Sequence, residues 1–406
     1  MDKYSINFKL DSSFLNENYL PEIYLETYNR VDKQFNNRST YSIDINNHNK
    51  LIEAKNQIDV YYNLKVWDKI KKYTNPFEMI YITNKKNRRN SVSTYEPLSR
   101  SYFKMIEIGH EFFYDILNKK EPITTVHLAE GPGGFVEGIV NIRNRNDDNI
   151  YGMTLVSDNK EVPGWRRSWY FLSKHPNINI LTGYDGTGNL YNTNNQRFLE
   201  YRVGVNKAEI VTGDGGFDFS VDYNKQELLA QKLIYSQFIT ALSVQQKGGH
   251  FVCKFFDIFN IITTQIIYLM TCFYEEVIIF KPYTSRPANS EKYIICRHYK
   301  GIPNLYLYKL RHILDLWNIF EKGKYRTRIK SIVKFIPDSF IQQIKNINKI
   351  ILEEQIKYIN YTINIIKNPL KDKDYDNITK EQINNATLWC KKYNIPFRNI
   401  NLHQIR

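Results

Sequence analysis

Apolar runs and turns alternate through the middle of the chain with the spacing of an α/β domain. Thr124-Thr125-Val126-His127-Leu128 predicts a buried strand, followed by the turn Gly131-Pro132-Gly133-Gly134 and a helix from about Phe135. Ile150 to Leu155 predicts a second strand, and Ala208 to Thr212 another that stops just before Asp214. Residues 225–246 predict an amphipathic helix, because Ile234, Phe238, Ala241 and Leu242 fall at i, i+4, i+7 and i+8 on one face. Gly248-Gly249 ends it, and His250 to Phe255 follows as a strand. A long apolar helix and a final strand pair, Glu276–Phe280 and Tyr293–Cys296, complete the pattern. Strands and helices alternating over about 123–300 predict a largely parallel sheet.

The flanks differ in texture. Residues 1–60 are polar and Asn-rich and predict an N-terminal extension of undecided order. From about 60 to 118 the pattern is helical, broken by the basic loop 84–90. Beyond about 305 it is helical, basic and Ile/Asn-rich. The expected division is an extension over 1–60, a core over 61–304 and a helical, basic extension over 305–406.

Charge and cysteine usage narrow the class. A net charge of +14 and a pI near 9.3 favour a polyanionic partner, nucleic acid foremost, although an AT-rich genome also yields lysine-rich protein. Lys85, Lys86, Arg88 and Arg89, and the run Lys322, Lys324, Arg326, Arg328, Lys330, Lys334, are candidates to grip a phosphate backbone or, more plainly, solvated faces. Four unpaired-spacing cysteines and eight scattered histidines predict reduced thiols and no protein-bound metal. No secretory signal or membrane span is expected. The run Phe259–Phe273 is too short and too interrupted by polar residues to cross a bilayer.

Four short strings carry chemistry. Gly131-Pro132-Gly133-Gly134 after a strand lets backbone approach a ligand, but it lacks the spacing of dinucleotide or ATP sites. Asp214, followed by Gly215-Gly216, is expected at a strand's C-terminal end, where open α/β sheets bind ligands. Lys254 sits inside Phe251-Val252-Cys253-Lys254-Phe255-Phe256, and interior lysines are costly unless paired or functional. Glu291 follows Ser285-Arg286-Pro287-Ala288-Asn289-Ser290. Each has a plainer structural alternative: a tight turn, an Asp-Gly turn, a snorkelling lysine, a solvated glutamate.

Together with Asn75-Pro76-Phe77-Glu78-Met79-Ile80 and Ser99-Arg100-Ser101-Tyr102-Phe103-Lys104, these strings resemble the FtsJ-type 2′-O-methyltransferases, and within them the mRNA cap enzymes. The resemblance covers about residues 70–300 and extends to Leu388-Trp389-Cys390 through Ile395-Pro396. It implies a Rossmann-like S-adenosylmethionine-dependent methyltransferase sheet with helices on both faces. It also implies a tetrad of Lys104, Asp214, Lys254 and Glu291. Lys254 would be the general base, its pKa lowered by Lys104 and the donor's sulfonium. Ser99, Gly131, Pro132, Gly133, Gly134, Phe135, Asp185 and Asp214 would hold S-adenosyl-L-methionine. Lys71, Asn224, Arg286 and Asn289 would meet the capped mRNA 5′ end, with an aromatic stacked on the cap. An RNA polymerase or capping enzyme is a possible partner. A cytoplasmic site, viral factory or virion is expected, with the nucleus as the alternative. The chain departs from the family's pattern at His127, where an acid is usual, and at Glu130, where a small residue is usual. Ribosomal or transfer RNA methylation, or an inactive RNA-binding subunit, are the competing functions.

Overall fold

The computed structural model describes residues 6–13, 15, 19–28, 41–63, 65–82, 90–216, 223–322 and 328–400. The basic loop residues Lys85, Lys86, Arg88 and Arg89, and Lys324 and Arg326, lie outside them.

In the N-terminal third come β1 (Ile6–Lys9), β2 (Ile23–Tyr28), α1 (Ile45–Asn63), α2 (Val66–Tyr73), α3 (Ser101–Phe112) and α4 (Tyr114–Leu117). The central region holds β3 (Thr124–Leu128), α5 (Gly134–Arg143), β4 (Asn149–Met153), α6 (Trp169–Lys174), β5 (Ile178–Leu181), α7 (Thr193–Val203) and β6 (Ala208–Gly213). Next are α8 (Gln226–Val244), β7 (Gln245–Phe255), α9 (Ile261–Phe273), β8 (Tyr274–Lys281) and β9 (Lys292–Tyr299). The chain continues with α10 (Asn304–Lys322), β10 (Arg328–Val333), α11 (Asp338–Lys367) and α12 (Asp372–Lys392).

Eight strands form one twisted sheet in the order β1-β8-β9-β7-β6-β3-β4-β5. β3 pairs in parallel with β4 on one side and β6 on the other, and β7 continues the parallel set. β9, β8 and β1 add antiparallel strands at one edge. Chain order therefore reverses at β3, and in open α/β sheets the crevice beyond that point is where ligands bind. The fold is of the expected α/β class, an open sheet with a parallel centre and an antiparallel edge.

The core follows from composition. β3 is buried at every position, and α9 is buried from Ile262 to Phe273, which is why its sequence shows no polar face. Asn260 caps α9 by accepting from Ile262 N at 3.0 Å. Phe238 on α8 and Phe251 on β7 lie in one continuous core with α9.

Both flanks join the sheet or each other. β1 hydrogen-bonds to β8, so residues near the N-terminus extend the main sheet. β10 pairs with β2, which places a strand inside the stretch expected to be wholly helical. Lys330 and Lys334 on that pair are tied to Glu26 and Glu22. Two members of the predicted phosphate-gripping run thus already have carboxylate partners. β5, α6 and α7 are absent from the sequence prediction, because β5 is only four residues long and half-buried. No helix among the described residues is long and apolar enough to cross a membrane.

Candidate active site

Lys104, Asp214, Lys254 and Glu291, the tetrad that the resemblance implies, meet at the C-terminal edge of the sheet. Asp214 follows β6 directly, and Lys254 is the penultimate residue of β7. β9 runs antiparallel to β7 with Phe255 opposite Lys292, so the residue entering β9, Glu291, lies beside the end of β7. Lys104 comes in from α3. Its ammonium is 2.7 Å from Glu291 Oε1 and donates to Oε2 at 2.8 Å. Ser285 Oγ donates to Oε1 of the same carboxylate at 2.8 Å. Lys254 Nζ donates to the Asp214 carbonyl at 2.7 Å and stands 3.4 Å from its Oδ1. Tyr293 OH donates to that Oδ1 at 2.8 Å.

The charges set each other. Burial pushes Glu291 up, but the ammonium groups of Lys104 and Lys254 and the Lys104 and Ser285 hydrogen bonds outweigh it and hold the carboxyl at about 2. Lys254 departs from expectation. Burial works to lower its pKa, yet the carboxylates of Asp214 and Glu291 dominate and raise it above its ordinary value. The anticipated depression by Lys104 fails because the charges that govern Lys254 are carboxylates and Lys104 is paired with one of them.

The glycine turn closes the other side of the site. Gly133 has φ +102°, a left-handed conformation that disfavours a side chain, and a Cβ there would meet the Trp165 ring at 3.0 Å. A Cβ on Gly134 would stand 2.3 Å from the hydroxyls of Ser99 and Ser101. Ser99 therefore lies against the first turn of α5, where the free backbone N–H groups of a helix start favour an anionic or polar ligand. Glu137 on α5 holds that segment by accepting from Leu98 N at 2.8 Å and Tyr95 OH at 3.0 Å. Pro132 presents its carbonyl to Ser168 Oγ.

Residues 97–299 match the FtsJ-like methyltransferase family, half of the 406-residue chain. The chain belongs to the FtsJ-like methyltransferase family. Among curated relatives, a cap-specific mRNA (nucleoside-2'-O-)-methyltransferase 1 of Xenopus laevis is 32% identical over 241 residues, covering 54% of this chain and 28% of that protein. The protein of the same name in Mus musculus is 36% identical over 193 residues, covering 45% and 23%. The chain thus spans less than a third of the length of these relatives. Among solved structures, a putative ribosomal RNA methyltransferase of Plasmodium falciparum superposes with a TM-score of 0.37 at 18% identity, over 50% of this chain and 99% of that one. So loose a superposition decides nothing about function.

An FtsJ-like methyltransferase uses S-adenosylmethionine, and the residues present fit it. The turn has no side chains on Gly131, Gly133 and Gly134. Beside it Glu130, 4% exposed, carries a carboxylate oxygen with no hydrogen-bond partner among the described residues. Asp185 sits in the exposed turn after β5, which is tied to the segment following β4 by Val156 N donating to the Thr187 carbonyl. Its carboxylate accepts from Thr187, Asn192 and Asn195 at 2.7–2.9 Å, and the Thr187 hydrogen bonds hold its pKa well below the usual range. Phe135 is a correction: its side chain is fully buried, with its ring 5.6 Å from that of Tyr293, so it belongs to the core and not to a donor surface.

A cavity of about 220 Å³ opens beside Glu291 and is lined by Trp67, Lys71, Phe256, Asn289 and Gln355. Lys71 and Asn289 both line this cavity, and Lys71 is bonded to Asp68. Asn224 donates to Asn56 at 2.8 Å. Arg286 is a second correction. Its guanidinium grips Glu78 with bonds of 3.0 and 2.8 Å, so it orders the loop against the NPFEMI string instead of presenting a free phosphate contact.

Sequence reasoning missed Tyr293, Trp67, Phe256 and Lys281. Lys281 is buried at the end of β8 and donates to the carbonyls of Asn289 at 2.5 Å and Glu291 at 2.8 Å. Burial and the nearby Lys292 ammonium push it down to about 7. A lysine ending an apolar strand was the available signal, as it had been for Lys254.

Proposed function

We propose that this chain methylates the ribose 2′-hydroxyl of the first transcribed nucleotide of capped mRNA, converting cap 0 to cap 1. The observation that carries this reading is the meeting of two lysine–carboxylate pairs at the sheet's C-terminal edge, beside an aromatic-walled cavity. The cap-specific names of the relatives support the choice of substrate.

Bound S-adenosylmethionine supplies a methyl group activated by a positively charged sulfur. The protein's part is alignment and proton handling. Lys254, in its neutral form, takes the hydroxyl proton as the oxygen attacks. Lys104 stabilises the negative charge that develops on that oxygen. Asp214 and Tyr293 fix Lys254, and Glu291 and Ser285 fix Lys104. Because Asp214 and Glu291 favour the ammonium form of Lys254, the neutral form is a small fraction near pH 7 and grows with pH. Trp67 and Phe256 offer faces on which a cationic N7-methylguanine stacks by cation–π attraction, with Asn289 and Lys71 at its polar edges.

The test is methyl transfer from radiolabelled S-adenosylmethionine to two matched short RNAs, one with an N7-methylguanosine cap and one with a bare 5′ triphosphate. Label confined to the first ribose of the capped RNA is expected. Equal labelling of both would replace the cap reading with general RNA methylation.

A further inference from the structure

Glu107 is a buried carboxylate to which the reaction described above gives no part. It lies on α3 one helical turn beyond Lys104, so the two side chains leave neighbouring points of the helix surface. Its side chain is fully buried. Lys392 at the end of α12 senses its charge but is paired with Glu111. The partners of Glu107 are two successive backbone groups in the loop that joins β8 to β9. Oε2 accepts from Tyr283 N at 2.7 Å, and Oε1 accepts from Thr284 N at 2.8 Å. A carboxylate offers one acceptor to each of two neighbouring N–H groups, whereas an amide of the same shape turns an NH2 toward one of them. Burial pushes the Glu107 carboxyl up to about 7 against the pull of these hydrogen bonds.

What the loop carries gives this anchor its meaning. Ser285 follows Thr284 directly, and its hydroxyl donates to Glu291 Oε1 at 2.8 Å. Lys104 donates to Oε2 of the same carboxylate at 2.8 Å. Lys104 is fixed relative to Glu107 by one turn of helix, and Ser285 is fixed by one residue of backbone. Both donors that hold Glu291 therefore hang from one side chain. The far end of the loop is tied separately, by Lys281 to the carbonyls of Asn289 and Glu291.

We propose that Glu107 is a positioning residue for methyl transfer, which sets the separation of Lys104 and Ser285 by gripping Tyr283 N and Thr284 N, and through them the place of the Glu291 carboxylate. This rests on the reading of Lys104 as the group that stabilises the developing charge on the ribose oxygen. The ionised form is the one that holds both N–H groups. A protonated Glu107 keeps one good acceptor and turns a donor toward the other N–H, as a glutamine does. The anchor therefore weakens as pH falls through about 7. The titratable groups around Glu107 are Tyr283 in the loop, His110 one turn along α3, and Lys392 and Tyr393 at the end of α12. Burial holds His110 below its ordinary value and pushes Tyr393 up, while the Glu111 carboxylate keeps Lys392 charged.

The test is methyl transfer to capped RNA by the full chain and by its Glu107→Gln variant, together with S-adenosylhomocysteine affinity by calorimetry and amide exchange over residues 282–291. At about pH 8.5 the variant should have kcat lower by roughly tenfold, the scale of one hydrogen bond to a charged group, with donor affinity within about twofold. Its loop should exchange faster than that of the wild type while β7 and β9 exchange as before. At about pH 6 the wild-type advantage should shrink to about twofold, because protonated Glu107 then resembles glutamine. Lys254 and Lys281 titrate in both proteins and cancel from the ratio. An advantage equal at both pH values, an equal loss of donor affinity, or unchanged loop exchange would overturn the assignment. If Glu107→Gln does not fold, Glu107→Asp takes its place. One methylene shorter, it should lower kcat and speed exchange at Tyr283 and Thr284, and wild-type behaviour in both would overturn the assignment equally. Absence of methyl transfer by the wild type would overturn the function proposed above, and loop exchange would still decide whether Glu107 holds the loop.

Discussion

Replacing Glu291 with Gln removes one negative charge from the site and keeps its shape, and the structure gives the size of the effect. The carboxyl is held at about 2 against an ordinary 4.5, chiefly by Lys104 and Lys254 acting against burial. That difference corresponds to about 3 kcal/mol of folding stability near neutral pH. Because the folded value lies below the unfolded one, the contribution is complete above about pH 4.5 and is lost as pH falls through about 2. By pH 3 it has dropped to roughly 1.4 kcal/mol. Unfolding 406 residues at ~2.1 cal/mol/K per residue carries an entropy of about 0.85 kcal/mol/K, so Glu291→Gln should lower Tm by about 4 °C at pH 7. At pH 3 the deficit should be less than half as large. Scanning calorimetry of the two proteins at both pH values measures this directly. Adding Lys104→Met to Glu291→Gln should cost less than the sum of the two single changes, because the pair is then removed together. A Tm change below about 1 °C at pH 7, or an equal change at both pH values, would refute the electrostatic account of the site.

Lys254→Ala should abolish methyl transfer and leave S-adenosylhomocysteine affinity within about twofold by calorimetry; near-wild-type transfer would remove Lys254 as the base. In the wild type, log kcat/KM should rise with a slope near one between about pH 6.5 and 9, since the free protein holds Lys254 protonated; a flat profile contradicts that role. Phe256→Leu should weaken binding of an N7-methylated cap dinucleotide by about three- to tenfold, the size of one cation–π contact, and leave the unmethylated dinucleotide unaffected; equal losses would move the stacking face elsewhere. Lys281→Met leaves the carbonyls of Asn289 and Glu291 without their donor. It should cost about 2 kcal/mol and reduce kcat more than tenfold at unchanged donor affinity; unchanged kcat would show that the loop holds itself.

What the linear pattern fixes is the class of the domain and the identity of its reactive groups. β3, β6, β7 and α9 are long or strongly apolar, and their periodicity carries that information locally. β5 and β10 are short and half-buried, and β10 pairs with β2 at the opposite end of the chain, so their local signal is weak. Lys254 and Asp214 stood out because a charge inside an apolar strand and a carboxylate before two glycines are locally anomalous. Their charge states were not legible. Lys254 is raised, not lowered, because β6 brings the Asp214 carboxylate and β9 the Glu291 carboxylate to the end of β7, where Glu291 also takes up Lys104. Arg286 shows the same limit, since its partner Glu78 lies 208 residues away. Sequence determines which groups can react. The tertiary structure alone decides which charges they face, because Coulomb energies fall with distance in space and are indifferent to distance along the chain.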